Sequence, residues 1–316
     1  MKKIGAILCL IVCISCKSSV NSQVKKHEIS INQVKEDVEF LTSDELQGRN
    51  TGTNGIETAA RYIENVFTKN NIKPYFETYR DTFNVKDIVG YNVVGLIEGN
   101  DPKLKNEFVI IGAHYDHIGF KTKVDNDSIA NGANDNAAGT SAVLALAEYL
   151  AKEKINKRSI IIALFSGEEM GLLGSKHLAE KLKERNLNLY TMLNFEMIGV
   201  PFKDRDYEAF VTGYDLTNMA QIMNNYIGSN YIGRSEVAIK YNLFKQSDNY
   251  AFYQVFNVPC QTISSCDLSN YNYYHHVDDE ADKLDYEHMT KLINKMIPAI
   301  EHICNSATKE IKMTHE

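Results

Sequence analysis

Three runs in this sequence, FVIIGA, SIIIALF and TMLNF, are largely apolar without strict alternation and too short to be helices of their own. A strand with one wet face alternates polar and apolar residues; a run without alternation is buried on both faces. Helical periodicity separates these runs, in GIETAARYIENVFTKN, in the amphipathic GTSAVLALAEYLAKE, in GSKHLAEKLKE and in LTNMAQIMNNYI. NVVGLIEG and FNVPCQTI read as two further strands, and YEHMTKLINKMIPAIEHICN as a closing helix. Such alternation predicts an α/β fold, a mostly parallel mixed central sheet with helices on both faces. The chain has 316 residues, 44% of them apolar, enough for one large core over residues 30–306. A formal charge of −7 argues against nucleic acid as a partner, because holding phosphates takes a basic surface.

The N-terminus is of another kind. Lys2 and Lys3 precede the apolar run IGAILCLIVCI, too short to span a bilayer, so residues 1–16 read as an export signal. The run closes on ISC, which resembles the lipobox of bacterial lipoproteins. That resemblance implies lipidation of Cys16 and a membrane-anchored protein of the cell envelope; an ordinary cleaved signal is the alternative. Residues 17–29 are polar and read as a flexible tether, and residues 307–316 as a polar tail. Beyond Cys16 only Cys260, Cys266 and Cys304 remain. Cys260 and Cys266 are near enough to close a small disulfide loop in an oxidising compartment, or they are two separate buried thiols. Cys304 is then free on the last helix.

In open α/β sheets, sites form where strands reach their carboxyl ends. Here those ends carry metal-ligand chemistry. FVIIGA runs into His114, Tyr115, Asp116 and His117; IIIALFSG runs into Glu168 and Glu169; TMLNF runs into Glu196. One of His114 and Asp116 can bind a metal while the other orients it from behind. Asp135, in GANDNAAGTSA, lies among small residues ahead of a helix, where a carboxylate is favoured; simple N-capping is the plainer reading. A sharp turn at Gly167 would let Glu168 and Glu169 point apart, one to hold metal and one to act as a base. Glu196 lies within an apolar run and needs a partner, either a metal or a buried cation. NYNYYHHVDDE adds His275 and His276 with Asp278 and Asp279 behind them.

Together, GAHYDHIG, GANDNAAGTSA, FSGEEMGLLGS, LNFEMIG and YYHHVDDE resemble, in order and spacing, the co-catalytic di-zinc aminopeptidases related to aminopeptidase S and bacterial leucyl aminopeptidase. The resemblance covers nearly the whole chain from LTSDELQGRN onward. It implies an α/β/α sandwich of the zinc exopeptidase type and two Zn2+ ions bridged by Asp135. One zinc would also take His114 and Glu196, the other Glu169 and His275. Glu168 matches the family's general base and Asp116 the residue that orients the first histidine. Tyr274 stands where some members carry an oxyanion-stabilising tyrosine. His276 falls outside the site, and Asp279 would support the His275 loop. Glu196 departs from the pattern, which usually has Asp there, and this leaves a one-zinc enzyme as the alternative.

The implied activity is removal of N-terminal residues from peptides with a free amine. Glutaminyl cyclases share the superfamily but rely on pocket tryptophans, and this chain has no Trp. Dipeptidase or carboxypeptidase activity on the same fold, or a non-catalytic binding protein, are the remaining readings. Aromatic-rich segments near residues 202–212 and 229–253 either shape the substrate pocket or pack in the core.

Overall fold

A computed structural model describes residues 27–314. The export signal, Cys16 and most of the tether therefore lie outside the described residues. The chain opens with α1 (Ile31–Leu41) and α2 (Asn54–Lys69), followed by β1 (Lys73–Pro74), β2 (Arg80–Val85), β3 (Ile88–Ile97) and β4 (Phe108–His114). A hairpin, β5 (Gly119–Val124) and β6 (Asp127–Ala130), precedes α3 (Ala138–Glu153), β7 (Ser159–Phe165), α4 (Leu173–Glu184) and β8 (Leu189–Phe195). The last third runs through β9 (Ala209–Val211), α5 (Met219–Ile227), β10 (Ile232–Gly233) and α6 (Glu236–Lys240). It ends with α7 (Asn249–Phe256), β11 (Cys260–Ser264) and α8 (Tyr286–Asn305).

One nine-stranded sheet carries the order β1-β3-β7-β4-β8-β11-β9-β10, with β2 paired to β3. Its centre is parallel, β7 with β4, β4 with β8 and β8 with β11, while β1 and β2 join β3, β3 joins β7 and β9 joins β11 antiparallel; the short edge strand β10 is parallel to β9. The expected mixed sheet is thus parallel through its centre, with antiparallel strands outside it. Strand β7 shows why the run SIIIALF has no polar alternation. Ile160, Ile162 and Leu164 enter a core formed with α1, α3 and α8, whereas Ile161, Ala163 and Phe165 enter a second core formed with α4 and α7. Burying both faces of a strand favours apolar residues on both, and the polar exceptions in the sheet, such as Thr191 and Gln261, are hydrogen-bonded.

Helix α3 departs from the amphipathic expectation. Its first ten residues, Ala138 to Ala147, are all buried, because α1, α2 and α8 close over the side turned away from the sheet. An amphipathic stripe suffices for a helix with one wet face, and α3 has almost none. The sequence pattern also passed over β2, the β5–β6 hairpin and α7. In β2 the polar RDTFNV is half exposed; in α7 the aromatic NYAFYQVF reads equally well as a loop. Cys260, Cys266 and Cys304 are free, buried thiols. Residues 307–314 lie against the domain, with Ile311 buried and its N–H donated to the Tyr190 hydroxyl at 2.9 Å. Among the described residues no helix is long and apolar enough to cross a membrane.

Candidate metal centre and active site

Parallel register brings the strand ends level. His114, the last residue of β4, pairs with Phe165, the last of β7, and Gly112 pairs with Asn194 near the end of β8. Neighbouring strands lie about 4.8 Å apart, so the residues just beyond these ends share one rim. Asp135 reaches that rim from the turn ahead of α3, where small neighbours leave room for tight side-chain bonds. Asn136 fixes that turn: its Oδ1 accepts from Gly139 N (3.0 Å) and Met197 N (3.1 Å), and its Nδ2 donates to Phe195 O (3.0 Å). Asp279 grips the same turn, accepting from Asn134 N at 2.8 Å and Asp135 N at 3.0 Å. Its own N–H bonds His276 O at 3.1 Å and its carboxylate also accepts the Tyr271 hydroxyl, so Asp279 joins the Asp135 turn to the His275 loop through side chain and backbone alike.

Two clusters result, and they share Asp135. His114, Asp135 and Glu196 form one; His117, Asp135 and Glu169 form the other, the potential ligand atoms of each lying within 4.8 Å of one another. His114 Nε2 stands 3.3 Å from Asp135 Oδ1. On the opposite side His275 Nε2 is 3.3 Å from Asp135 Oδ2 and 2.9 Å from Glu169 Oε2. All five residues expected to hold metal, His114, Asp135, Glu169, Glu196 and His275, therefore converge around one carboxylate. His275 holds its place at φ +56°, a left-handed backbone rarely adopted by a side chain of this size.

Whether these groups suit a metal is answered by their unmet bonding. His114 Nε2, both ring nitrogens of His117, Glu169 Oε1 and His275 Nε2 are buried without a hydrogen-bond partner. Imidazole nitrogens and carboxylate oxygens that avoid one another's hydrogen-bond directions, yet crowd within a few ångströms, fit divalent cations of the zinc kind. Charge points the same way. Besides Asp135, Glu169 and Glu196, the rim holds Glu168, Asp116 and Asp248. Burial pushes Glu168 well above the usual carboxylate range, with Glu196, Asp248 and Glu169 adding repulsion. Burial likewise lifts Glu196 and Asp248 to about 7. Without cations the cluster can stay compact only by holding protons.

The turn at Gly167 has φ +71°, and beyond it the two glutamates separate as the sequence suggests. Glu169 faces His117 and His275, while Glu168 faces His114, Glu196 and Asp248. Asp116 ties this turn to the first histidine's strand: its Oδ1 accepts from Glu168 N at 3.3 Å and its Oδ2 from the Thr51 hydroxyl at 3.1 Å. The His114 Nδ1 contact goes to the Asp116 carbonyl oxygen at 3.1 Å, with the carboxylate farther off at 3.6 Å. Backbone more than side chain thus sets the His114 ring. Tyr274 is 45% exposed and stacks on His275 with ring centroids 3.9 Å apart. His276 turns away, its Nδ1 accepting from Asp278 N at 3.1 Å.

Sequence reasoning missed three residues here. His117 is in GAHYDHIG, three positions after His114, and its repeat of the same residue type was the available signal. Asp248, fully buried with neither carboxylate oxygen hydrogen-bonded, follows Ser247, whose hydroxyl donates to Glu196 Oε2. Arg49 lies beneath the rim with no exposed surface and donates to Tyr115 O (2.9 Å), Asn131 O (2.7 Å), Gly132 O (3.0 Å) and Leu41 O. Burial lowers its pKa to about 10, against the pull of Asp279, Asp116 and Asp135.

A cleft of about 570 Å³ opens over Glu168, Glu169 and His275, flanked by Tyr274, Lys176 and Lys245. Tyr274 and Glu196 also border a smaller recess of about 50 Å³ walled by Met197, Phe210, Leu243 and Cys266.

Comparison with known proteins agrees with this geometry. A "Probable zinc metalloprotease" of Pyrenophora teres f. teres is 32% identical over 179 residues, 53% of this chain and 36% of that protein. The chain spans about a third or less of the length of the curated relatives it matches. Two crystal structures share the fold. The LapA aminopeptidase of Legionella pneumophila is 22% identical, with a TM-score of 0.68 over 88% of this chain and 73% of its own. The Porphyromonas gingivalis glutaminyl cyclase is 14% identical, with a TM-score of 0.68 over 87% of this chain and 99% of its own. The model of peptidase family M28 matches residues 92–300, from the middle of β3 into α8, and so takes in every strand end on the rim; the chain belongs to peptidase family M28.

Proposed function

We propose that this chain is a zinc-dependent exopeptidase that removes N-terminal residues from peptides with a free amine. The observation that carries the reading is the pair of ligand clusters sharing Asp135, with Glu168 beside them and committed to neither. His114, Asp135 and Glu196 would hold one zinc; Glu169 and His275, with Asp135 again, the other. When bound, zinc supplies Lewis acidity, polarising a carbonyl and acidifying water, and neutralises the crowded carboxylates. Glu168 then takes a proton from the attacking water and passes it to the leaving amine. Asp116 serves by holding the Glu168 turn through its backbone N–H. Tyr274 borders both cleft and recess, which supports a role for its hydroxyl as a donor to the substrate carbonyl. The small recess, lined by Met197, Phe210, Leu243 and Leu268 but also by Thr212, Gln246 and Thr262, suits a small first side chain of the substrate.

Glu168→Gln keeps the shape and removes the base. Its zinc content should match the wild type, while turnover on aminoacyl chromogenic substrates falls by about 10²–10⁴-fold. Hydrolysis near the wild-type rate would take Glu168 out of this role. Peptides with N-terminal Gln separate the cyclase reading, since the fold serves both relatives equally: ring closure without peptide-bond cleavage would favour it. Blocked N-termini should abolish cleavage, whereas dependence on a free C-terminus would indicate a carboxypeptidase.

The MKKIGAILCLIVCISC sequence supports export and anchoring through Cys16. Cys16→Ala should move the protein from the membrane fraction to the soluble one. Equal membrane retention in wild type and variant would count against the anchor.

A further inference from the structure

His117 lies in the second cluster, yet the scheme above gives that zinc to Glu169, His275 and Asp135 and leaves this buried histidine without a task. Its side chain is fully buried, yet neither ring nitrogen has a hydrogen-bond partner. A histidine of ordinary packing satisfies at least one nitrogen when taken out of water. Nδ1 stands 2.8 Å from Glu169 Oε1 and 3.8 Å from Asp135 Oδ2. At 2.8 Å the oxygen is near enough for a hydrogen bond, so the failure is one of direction: the ring nitrogen does not aim its bond at that oxygen.

The surroundings fix the ring in this attitude. Its backbone N–H donates to Arg49 O at 3.3 Å, and the same arginine pins Gly132 through its carbonyl. Gly132 adopts φ +60°, and a Cβ there would stand 2.4 Å from His117 Cγ, so the Asp135 turn packs directly on the imidazole. Opposite, the His275 ring lies with its centroid 5.7 Å away at 66°. Two imidazoles and two carboxylates surround one space.

We propose that His117 is a third imidazole ligand of the metal centre. This rests on the metal-centre reading above. The two sides then differ in number. His117, His275, Glu169 and Asp135 offer four protein groups, against the three of His114, Glu196 and Asp135. The four-group side holds its ion more tightly, and the three-group side, with Glu196 one methylene longer than the usual Asp, holds the weaker one.

A zinc-edge anomalous crystal structure of the loaded wild-type protein tests the ligand directly. A His117 ring nitrogen at about 2.0–2.2 Å from the ion is expected. A ring nitrogen bonded only to Glu169, with the ion beyond roughly 3 Å, would overturn the proposal by making His117 a positioning residue. In solution, competition with a chromogenic chelator should resolve two zinc affinities for wild type. His117→Ala should weaken the tighter at least about tenfold to hundredfold and leave the weaker within about twofold. Unchanged affinities, or equal weakening of both, would overturn the proposal. The wild-type measurement needs no variant to fold. Neither readout uses activity, so a failure of the aminopeptidase reading leaves this test intact.

Discussion

Asp37 carries a titration remote from the metals. It lies on α1, is 4% exposed, accepts the Tyr62 hydroxyl on one oxygen and has no partner for the other. Burial raises its pKa to about 7 from an ordinary 3.8, with Glu148 and Glu36 adding repulsion and Tyr62 and Lys69 opposing it. The folded chain therefore keeps this proton through a window, from about 4 to about 7, in which the unfolded chain has released it. More protons bound in the native state means that stability falls as pH rises through that window and levels off above it. The full shift corresponds to at most about 4 kcal/mol. Asp37→Asn keeps an acceptor for Tyr62 and removes the charge. Its urea-unfolding stability should exceed that of the wild type at pH 8 and approach it at pH 4; an equal difference at both would contradict this.

Among the elements, the contacts that matter most join loops rather than helices. The end of α1, the turn after β4 and the stretch leading to Asp135 are tied by one guanidinium, with Arg49, from the segment between α1 and α2, donating to a carbonyl in each. Arg49→Met fills the volume and takes a donor from four buried carbonyls, of which Gly132 O keeps the Ala137 N–H; each one left unmet costs about 1–3 kcal/mol. Denaturation midpoints should fall by several kcal/mol equivalent, and zinc affinity should drop as His117 and Asp135 lose their shared support. A variant that unfolds at the wild-type midpoint would show that these carbonyls find other partners. The same logic holds at the far end of the sheet, where buried Arg158 donates to Ile303 O and Ser306 O at the end of α8 and to Glu107.

At the scale of the whole molecule, metal and fold should be linked. The two ligand clusters draw on β4, the turn ahead of α3, the turns after β7 and β8, and the loop before α8. A cation held there bridges about half of the chain's length, from His114 to His275. Binding confined to the native state stabilises by about 2.7 kcal/mol per ion at a hundred times its dissociation constant. Exhaustive chelation should therefore lower the melting temperature by roughly 5–10 °C, and zinc added back should restore it. The drop should be greater at pH 8 than at pH 5, because protons can partly substitute for cations among carboxylates whose pKa values are raised. An unchanged melting temperature would mean that the clusters hold no ion in solution.

The sequence by itself determined the layered α/β architecture and most of the rim. Central strands such as β4 and β7, buried on both faces, are written as nearly unbroken apolar runs, and a ligand placed at the end of such a run has only one edge to occupy. His114, Glu168, Glu169 and Glu196 were legible for that reason, and Asp135 and His275 through the motifs around them. Only the tertiary structure decided what depends on approach from a distance. Strand β2 and helix α7 owe their existence to neighbours rather than to periodicity. Arg49 and Asp248 become part of the site only when loops far apart in the chain close over them. His117 and Asp279 look like surface polar residues until the Asp135 turn is packed against both. Periodicity records which way a side chain faces its own element; which groups it then meets is a matter of chain crossing, and no local pattern encodes that.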